Sequence, residues 1–107
     1  MKQFRVLYVL KNFPQMSETY IKPEIESVKQ CCEIKIVSTK AANLPAQRHE
    51  PYEQVTELAA IREIIQDYRP DVLHSHWLHS VKMLGRLSRQ TGAPFTVRAH
   101  CFDSMWP

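Results

Sequence analysis

The chain alternates between short apolar runs and longer segments in which apolar residues recur at helical spacing. Residues Phe4 to Leu10 form the first run, which is rich in β-branched and aromatic side chains. Such a run is typical of a strand buried on both faces, as the strands of parallel sheets are. Similar patterns predict three more strands, at Glu33 to Thr39, Asp71 to Trp77 and Pro94 to Cys101.

The segments between these strands carry apolar residues on one helical face. They predict helices over residues 17–30, 51–68 and 80–90. Pro23 falls within the first of them, so that regular helix either begins near Thr19 or bends at the proline. Gly92 is placed to cap the third helix at its C-terminus. Residues 40–51, which include two prolines, predict a loop.

The predicted order of elements is β-α-β-α-β-α-β. Strands that alternate with helices of this length indicate an α/β fold with a parallel sheet and right-handed crossovers. We expect a Rossmann-like strand order of 3-2-1-4. Ligands of such sheets bind outside the carboxyl ends of the strands, near the switch point between strands one and four. Polar residues that follow the predicted strands are therefore the candidates for function.

Composition and charge narrow the class of protein. The 107 residues have room for one small domain, and 44% hydrophobic with 23% charged residues is ordinary for a globular protein. The net charge of +3 comes without a run of like charges, which argues against nucleic acid as a partner. Three cysteines without CxxC spacing fit a reducing cytoplasm. The amino terminus resembles neither a signal peptide nor a membrane span.

The segment after the first predicted strand runs from Lys11 to Thr19 and contains no glycine. It therefore cannot be the glycine-rich loop of a dinucleotide site, and no such cofactor is predicted. Ser17, Glu18 and Thr19 would place two hydroxyls and a carboxylate at the start of a helix. These side chains either contact a ligand or cap the helix, since hydroxyls satisfy free N–H groups and a carboxylate favours the helix dipole.

Three histidines, His74, His76 and His79, follow or end the third predicted strand. His74 and His76 share one face of a strand, but His79 lies beyond the strand end. No aspartate, glutamate or cysteine nearby in the sequence completes a set of metal ligands. We therefore predict no metal site, and buried histidines with hydrogen-bond partners near the sheet edge are the alternative.

His100 ends the fourth predicted strand, and Asp103 follows it in the next loop. An imidazole beside a carboxylate is able to orient a sugar hydroxyl or to take its proton. A histidine that is hydrogen-bonded to the backbone is the structural alternative, and the residues alone do not separate the two.

Three segments together resemble motifs of the family 4 glycosyltransferases. They are FPQMSETYIKPEI at residues 13–25, DVLHSHW at residues 71–77 and TGAPFTVRAHCFD at residues 91–103. The segments occur in the family's order and cover much of the chain. Each reaches the end of a strand that was predicted independently of the resemblance.

The resemblance implies a GT-B enzyme that takes part in polysaccharide biosynthesis, with two Rossmann-like domains facing across a cleft. Residues 1–107 would be a partial amino-terminal, acceptor-side domain of a retaining transferase, and the donor-binding domain would lie outside them. The nucleotide-sugar donor is a co-substrate, and no cofactor or metal ion is implied. The residues that the resemblance assigns to catalysis are His100 and Asp103, and those it assigns to substrate binding are Ser17, Glu18, Thr19, His76 and Trp77.

The expected partners follow from the same resemblance and from the length of the chain. A saccharide or lipid-linked acceptor is the expected ligand, and transfer is expected only together with a separate carboxy-terminal half. The edge of the fourth predicted strand is expected to promote self-association. A cytoplasmic location is expected, with peripheral contact at the inner membrane surface suggested by the mild basic excess. The alternative function is a non-catalytic saccharide-binding or regulatory module.

Overall fold

The computed structural model describes residues 3–14, 21–40, 50–76 and 80–98. Strands and helices alternate along these residues, which confirms the predicted α/β fold. The elements are β1 (Arg5–Leu10), α1 (Ile21–Val28), β2 (Glu33–Ser38), β3 (Glu53–Gln54), α2 (Leu58–Tyr68), β4 (Val72–His76), α3 (Val81–Thr91) and β5 (Phe95–Arg98).

The five strands form one sheet in the order β3-β2-β1-β4-β5, and every pairing is parallel. The predicted Rossmann-like parallel sheet is confirmed, and its strand order again begins 3-2-1-4, but a different segment is the third strand. That segment is β3, in which Glu53 pairs with Val37 of β2. The predicted places of residues 71–77 beside β2 and of residues 94–101 beside β1 are wrong. The strands predicted at residues 71–77 and 94–101 are therefore the fourth and fifth, and the switch point lies between β1 and β4.

The second helix also begins later than predicted. It starts at Leu58 rather than at Pro51, because residues 53–54 pair with the sheet instead of forming the first helical turn. Both residues of β3 are exposed and polar, so no hydrophobic pattern marks this strand in the sequence. Pairing along the edge of β2 outweighs the weak local preference for a helix.

The other two helices agree with their predicted positions within the described residues. Pro23 is the third residue of α1, in the first turn, where a missing backbone N–H removes no helical hydrogen bond. Gly92 ends α3 in the left-handed region at φ 79° and donates its N–H to the carbonyl of Ser88. The predicted glycine cap is therefore confirmed.

Two apolar layers lie on opposite faces of the sheet, since successive side chains of a strand point to opposite sides. Between the sheet and helices α2 and α3, the buried residues are Leu7, Val9, Val37, Ile61, Ile65, Leu73, Leu84, Leu87 and Ala93. Beneath α1, they are Val6, Tyr8, Leu10, Phe13, Ile21, Ile25 and Ile36. The α1 layer thus covers β1, β2 and Val72 at the start of β4, whereas polar side chains occupy the later positions of β4 and β5 on this face.

These polar side chains occupy the sheet face that α1 borders. His74 and His76 alternate with Leu73 and Ser75 along β4, so both imidazoles lie on the α1 side. Across the pairing, His74 lies opposite Thr96 and His76 lies opposite Arg98. The carboxyl ends of β4 and β5 therefore present a polar surface next to the switch point. No helix among the described residues is long and apolar enough to cross a membrane.

Candidate functional site

The polar surface is organised around the carboxylate of Glu24 on α1. Its Oε2 accepts a hydrogen bond of 3.0 Å from the hydroxyl of Tyr8 and lies 3.0 Å from Nε2 of His76. Its Oε1 accepts a bond of 3.1 Å from the guanidinium of Arg98, and Nε2 of His74 lies 3.6 Å from Oε2. We call these five residues the Glu24 cluster.

Strand geometry explains how the cluster assembles. Tyr8 lies directly opposite His74 in the pairing of β1 with β4, and Arg98 lies opposite His76 in the pairing of β4 with β5. All four side chains project to the same face because paired residues in a sheet point to the same side. Ile25, the residue after Glu24 in α1, is buried against the sheet, and this packing holds the helix where Glu24 contacts the four side chains.

Ring contacts fix the two histidines. The His74 ring makes edge-to-face contacts with Tyr8 and with His76, with centroids 5.4 Å and 5.2 Å apart. Nδ1 of His74 is 2.7 Å from the hydroxyl of Thr96, which leaves Nε2 on the side of Glu24. Because an ionised carboxylate only accepts hydrogen bonds, Nε2 of His76 is the donor to Glu24. Both rings therefore direct Nε2 towards the same carboxylate.

Charges in the cluster settle the protonation of Glu24 and Tyr8 at neutral pH. Burial acts to raise the pKa of Glu24, but hydrogen bonds and charge from His76, the Tyr8 hydroxyl and His74 together lower it to about 2. Burial and the neighbouring Glu24 carboxylate raise the pKa of Tyr8 above its ordinary range. Glu24 is therefore ionised, and Tyr8 keeps the proton that it donates.

The environment of His74 favours the neutral form of its imidazole. Burial lowers the pKa of its imidazole, and the opposing attraction of Glu24 does not restore it. A neutral imidazole carries a lone pair on one ring nitrogen, so His74 is suited to accept a hydrogen bond or to bind a cation.

The exposure of the side chains differs within the cluster. The side chain of His76 is 0% exposed, those of Glu24 and His74 are 18% exposed, and that of Arg98 is 52% exposed. The other guanidinium N–H groups of Arg98, which do not bond Glu24, are therefore accessible to molecules outside the sheet. A planar guanidinium held by a carboxylate is suited to hydroxyl, carboxylate or phosphate oxygens.

A second group of polar contacts holds the segment that follows β1. The N–H of Phe13 donates to the hydroxyl of Ser38 over 3.0 Å, and that hydroxyl lies 2.6 Å from the carbonyl of Lys40. The side chain of Ser38 is fully buried at the end of β2. This serine therefore joins the chain leaving β1 to the chain leaving β2, along the carboxyl edge where ligands of such sheets bind.

Most of the predicted site residues lie outside the described residues. These are Ser17, Glu18, Thr19, Trp77, His100 and Asp103. Their roles stay predictions. His79 also lies outside the described residues. His76 is described, and its imidazole bonds the Glu24 carboxylate.

Glu24, Tyr8 and Arg98 were not predicted as members of the cluster. No carboxylate close in the sequence was expected to join the histidine pair, but one from a distant part of the chain does so, because Glu24 of α1, 52 residues before His76, lies 3.0 Å from its Nε2. One signal was present, because Glu24 is the second of the two glutamates in the FPQMSETYIKPEI segment, which resembles a family motif. Topology, rather than spacing, brings it to β4.

The fold and the cluster together define a Rossmann-like unit with a polar edge at its switch point. The model of the family described as "Glycosyl transferase 4-like domain" matches residues 29–107, more than half of the chain. The chain therefore belongs to the glycosyltransferase 4-like family. The segments at residues 71–77 and 91–103 lie within the match, whereas the segment at residues 13–25 precedes it.

Two further comparisons add no relatives. No curated protein matches the chain, and no solved structure matches it.

Proposed function

We propose that this chain forms the acceptor side of a retaining GT-B glycosyltransferase, which moves a sugar from a nucleotide-sugar to a saccharide or lipid-linked acceptor in polysaccharide biosynthesis. The Glu24 cluster carries this proposal. It places a fixed carboxylate, two imidazoles and an exposed guanidinium beside the β1–β4 switch point, in a chain of the glycosyltransferase 4-like family. Ligands of open α/β sheets bind at that edge.

The glycines argue that this unit serves the acceptor rather than the nucleotide. The whole chain has two glycines, of which Gly85 lies within α3 and Gly92 caps it. Loops that cradle a pyrophosphate need glycine so that the backbone approaches the phosphates closely. The segment from Lys11 to Thr19 has none, which supports a donor site on another unit.

Within this proposal the cluster residues have separate tasks. Arg98 donates hydrogen bonds to acceptor hydroxyls or to a phosphate of a lipid-linked acceptor, and Glu24 holds the guanidinium in place. His76 positions Glu24 from the buried side. His100 is proposed as the polar contact at the reacting centre with Asp103 beside it, and Ser17, Glu18, Thr19 and Trp77 as further acceptor contacts.

Binding measured by NMR tests the division between acceptor and donor. Isotope-labelled protein is titrated with a panel of saccharides and, separately, with a panel of nucleotide-sugars. We expect saccharides to shift the amide signals of residues 74–76 and 96–98, and nucleotide-sugars to leave the spectrum unchanged. Tight binding of a nucleotide-sugar together with no response to any saccharide would contradict the proposal.

Arg98→Met measures the contribution of the guanidinium. We expect this variant to bind the selected saccharide about 10-fold more weakly, equivalent to one charged hydrogen bond. Arg86→Met is the matched control, because Arg86 is an exposed arginine of α3, on the helix layer opposite α1. Equal loss of affinity in both variants would show a general charge effect and count against the assigned site.

Transfer itself is tested by supplying a separately expressed carboxy-terminal half of a related enzyme and measuring release of the nucleotide. We expect release to depend on both chains. His100→Ala should lower the rate by about 100-fold, the scale of a residue that handles a proton at the reacting centre. Unchanged rates in His100→Ala and Asp103→Asn would remove these residues from the proposed reacting centre.

A further inference from the structure

Three side chains of the Glu24 cluster bring metal-ligand atoms to one point. Oε2 of Glu24 lies 3.0 Å from Nε2 of His76 and 3.6 Å from Nε2 of His74. One possible ligand atom of each residue lies within 4.8 Å of those of the other two. In a tetrahedral zinc site with bonds of about 2.0–2.1 Å, neighbouring ligand atoms lie roughly 3.3 Å apart. The spacing around Oε2 is thus close to that of a coordination shell.

We propose that Glu24, His74 and His76 bind a divalent transition-metal ion, with Zn²⁺ as the preferred ion and a fourth position open to solvent. Two imidazoles and one carboxylate are a ligand set that suits zinc, whereas Mg²⁺ and Ca²⁺ require oxygen ligands. The ion would occupy the Glu24 cluster that the proposed function assigns to the acceptor, but its binding needs neither the acceptor nor the nucleotide-sugar.

The surroundings of the three ligands are those of a prepared site. The Thr96 hydroxyl lies 2.7 Å from Nδ1 of His74 and orients that ring, as hydrogen-bonded partners orient metal-binding histidines. The Tyr8 hydroxyl bonds Oε2 of Glu24 and fixes the carboxylate. Since a carboxylate oxygen has two lone pairs, Oε2 is able to keep the Tyr8 bond and coordinate the ion with the other.

An ion has a route to this position. His76 forms the buried floor, while Glu24 and His74 both retain exposed surface. Arg98 approaches the other oxygen of the carboxylate, Oε1, and its side chain is exposed enough to move when a second positive charge arrives. The ion takes the place of the proton that Nε2 of His76 shares with Glu24, and this proton passes to the solvent or to Nδ1 of the same ring.

Binding would join α1 to β4 by coordinate bonds. A ligand that binds the folded chain and not the unfolded chain stabilises the fold by mass action. A rise of the unfolding temperature with zinc concentration is therefore a readout that needs no transfer activity.

The thiols of Cys31 and Cys32 are potential competing ligands for zinc, because their sulfur atoms lie 3.8 Å apart and Cys31 is exposed. The test therefore uses the full chain with Cys31→Ser and Cys32→Ser as the reference protein. Zinc is titrated by calorimetry, and Co²⁺ is added separately as a spectroscopic probe. We expect saturation at one equivalent and the visible absorption of tetrahedral Co²⁺ without a thiolate charge-transfer band.

Two variants of the reference protein locate the site. His74→Ala removes a partly exposed ligand and is expected to weaken zinc binding by about 100-fold. Loss of a residue that only hydrogen-bonds to a metal ligand already weakens binding by about 10- to 100-fold, so loss of the ligand itself should reach at least the upper end of that range. His49→Ala removes a histidine that the proposal does not use, and we expect unchanged affinity. Far-UV circular dichroism of both variants reports whether each is folded.

Thr96→Val keeps all three ligands and serves as the second variant if His74→Ala fails to fold. It removes the hydroxyl that orients His74 while keeping the shape of the side chain, and we expect about 10-fold weaker binding. Absence of saturable zinc binding in the reference protein would overturn the proposal. Equal zinc affinity of the reference protein and the folded His74→Ala or Thr96→Val variant would also overturn it.

Discussion

The hydroxyl of Tyr8 donates a 3.0 Å hydrogen bond to the carboxylate of Glu24. Tyr8 belongs to the central strand β1, and its ring is buried among the apolar residues beneath α1. Glu24 belongs to α1 and also bonds His76 and Arg98. This one contact therefore connects the apolar half of the α1 face to its polar half.

Glu24→Gln tests how much the cluster stabilises the fold. The amide keeps the shape of the side chain but removes the charge that receives three hydrogen bonds. We expect the free energy of unfolding to fall by about 1–3 kcal/mol, the range for hydrogen bonds to charged groups. Urea denaturation measures it, and Glu26→Gln, an exposed glutamate of the same helix, is the control. Equal losses in both variants would contradict a special role for Glu24.

The acid stability of the metal-free protein should report the pKa of Glu24. Folding lowers this pKa from its ordinary value of 4.5 to about 2. The unfolded chain therefore takes up the proton first, so the stabilisation is complete above pH 4.5 and is lost as the pH falls towards 2. We expect the stability difference between the native protein and Glu24→Gln to shrink across this interval. A difference that stays constant with pH would show that the carboxylate does not titrate as described.

Ser38→Ala should loosen the segment that leaves β1. The buried N–H of Phe13 would lose its acceptor, and an unsatisfied buried donor costs about 1–3 kcal/mol. Ser27→Ala, at an exposed helical position of α1, is expected to change stability by less than about 0.5 kcal/mol. Thermal unfolding of the two variants under the same conditions provides the comparison, and similar midpoints would contradict the assigned role of Ser38.

Substitution of the two glycines by alanine should change the stability of the protein in opposite directions. Gly92 has a φ of 79°, so an alanine there is strained and should destabilise the protein by about 1 kcal/mol. Gly85 lies within α3, where an added Cβ would meet Cζ of Phe95 at an ordinary 3.9 Å. We expect Gly85→Ala to stabilise the protein by about 0.5–1 kcal/mol because alanine favours the helix. Denaturant midpoints of the pair check both signs.

Self-association stays a prediction that solution measurements decide. Within the described residues β5 is the last strand of the sheet, and it pairs with β4 on one side. Unpaired backbone groups on the other side would promote pairing with a second copy of the chain. We expect the mass from light scattering to rise with protein concentration. A constant monomer mass at the highest soluble concentration would contradict this.

Several elements of the fold were predictable because their signals are local. The spacing of apolar residues marked α3, Gly92 marked its end, and alternation along β4 placed His74 and His76 on one face. β3 gave no such signal, because its two residues are polar and exposed and pair only through the backbone. Because β3 takes the place beside β2, the strand at residues 71–77 is the fourth strand and pairs with β1 instead.

The candidate site was less predictable because its members come from four separate elements. Periodicity predicts which face of a strand or helix a residue occupies, but not which element packs against that face. Glu24 meets His76 only after α1 has packed across β1 and beside β4, a consequence of strand order rather than of spacing. The histidine pair was therefore visible in the sequence, while the carboxylate that joins it was not.

Glu24 and Ile25 are consecutive residues of α1, one serving the polar cluster and the other the apolar layer. A displacement of the helix caused by repacking around Ile25 would move the carboxylate by a similar amount, because a helical turn is nearly rigid. Engineers who wish to improve the stability of this unit therefore have more freedom in the layer beneath α2 and α3. Changes beneath α1 would need to be selected for binding and stability at the same time.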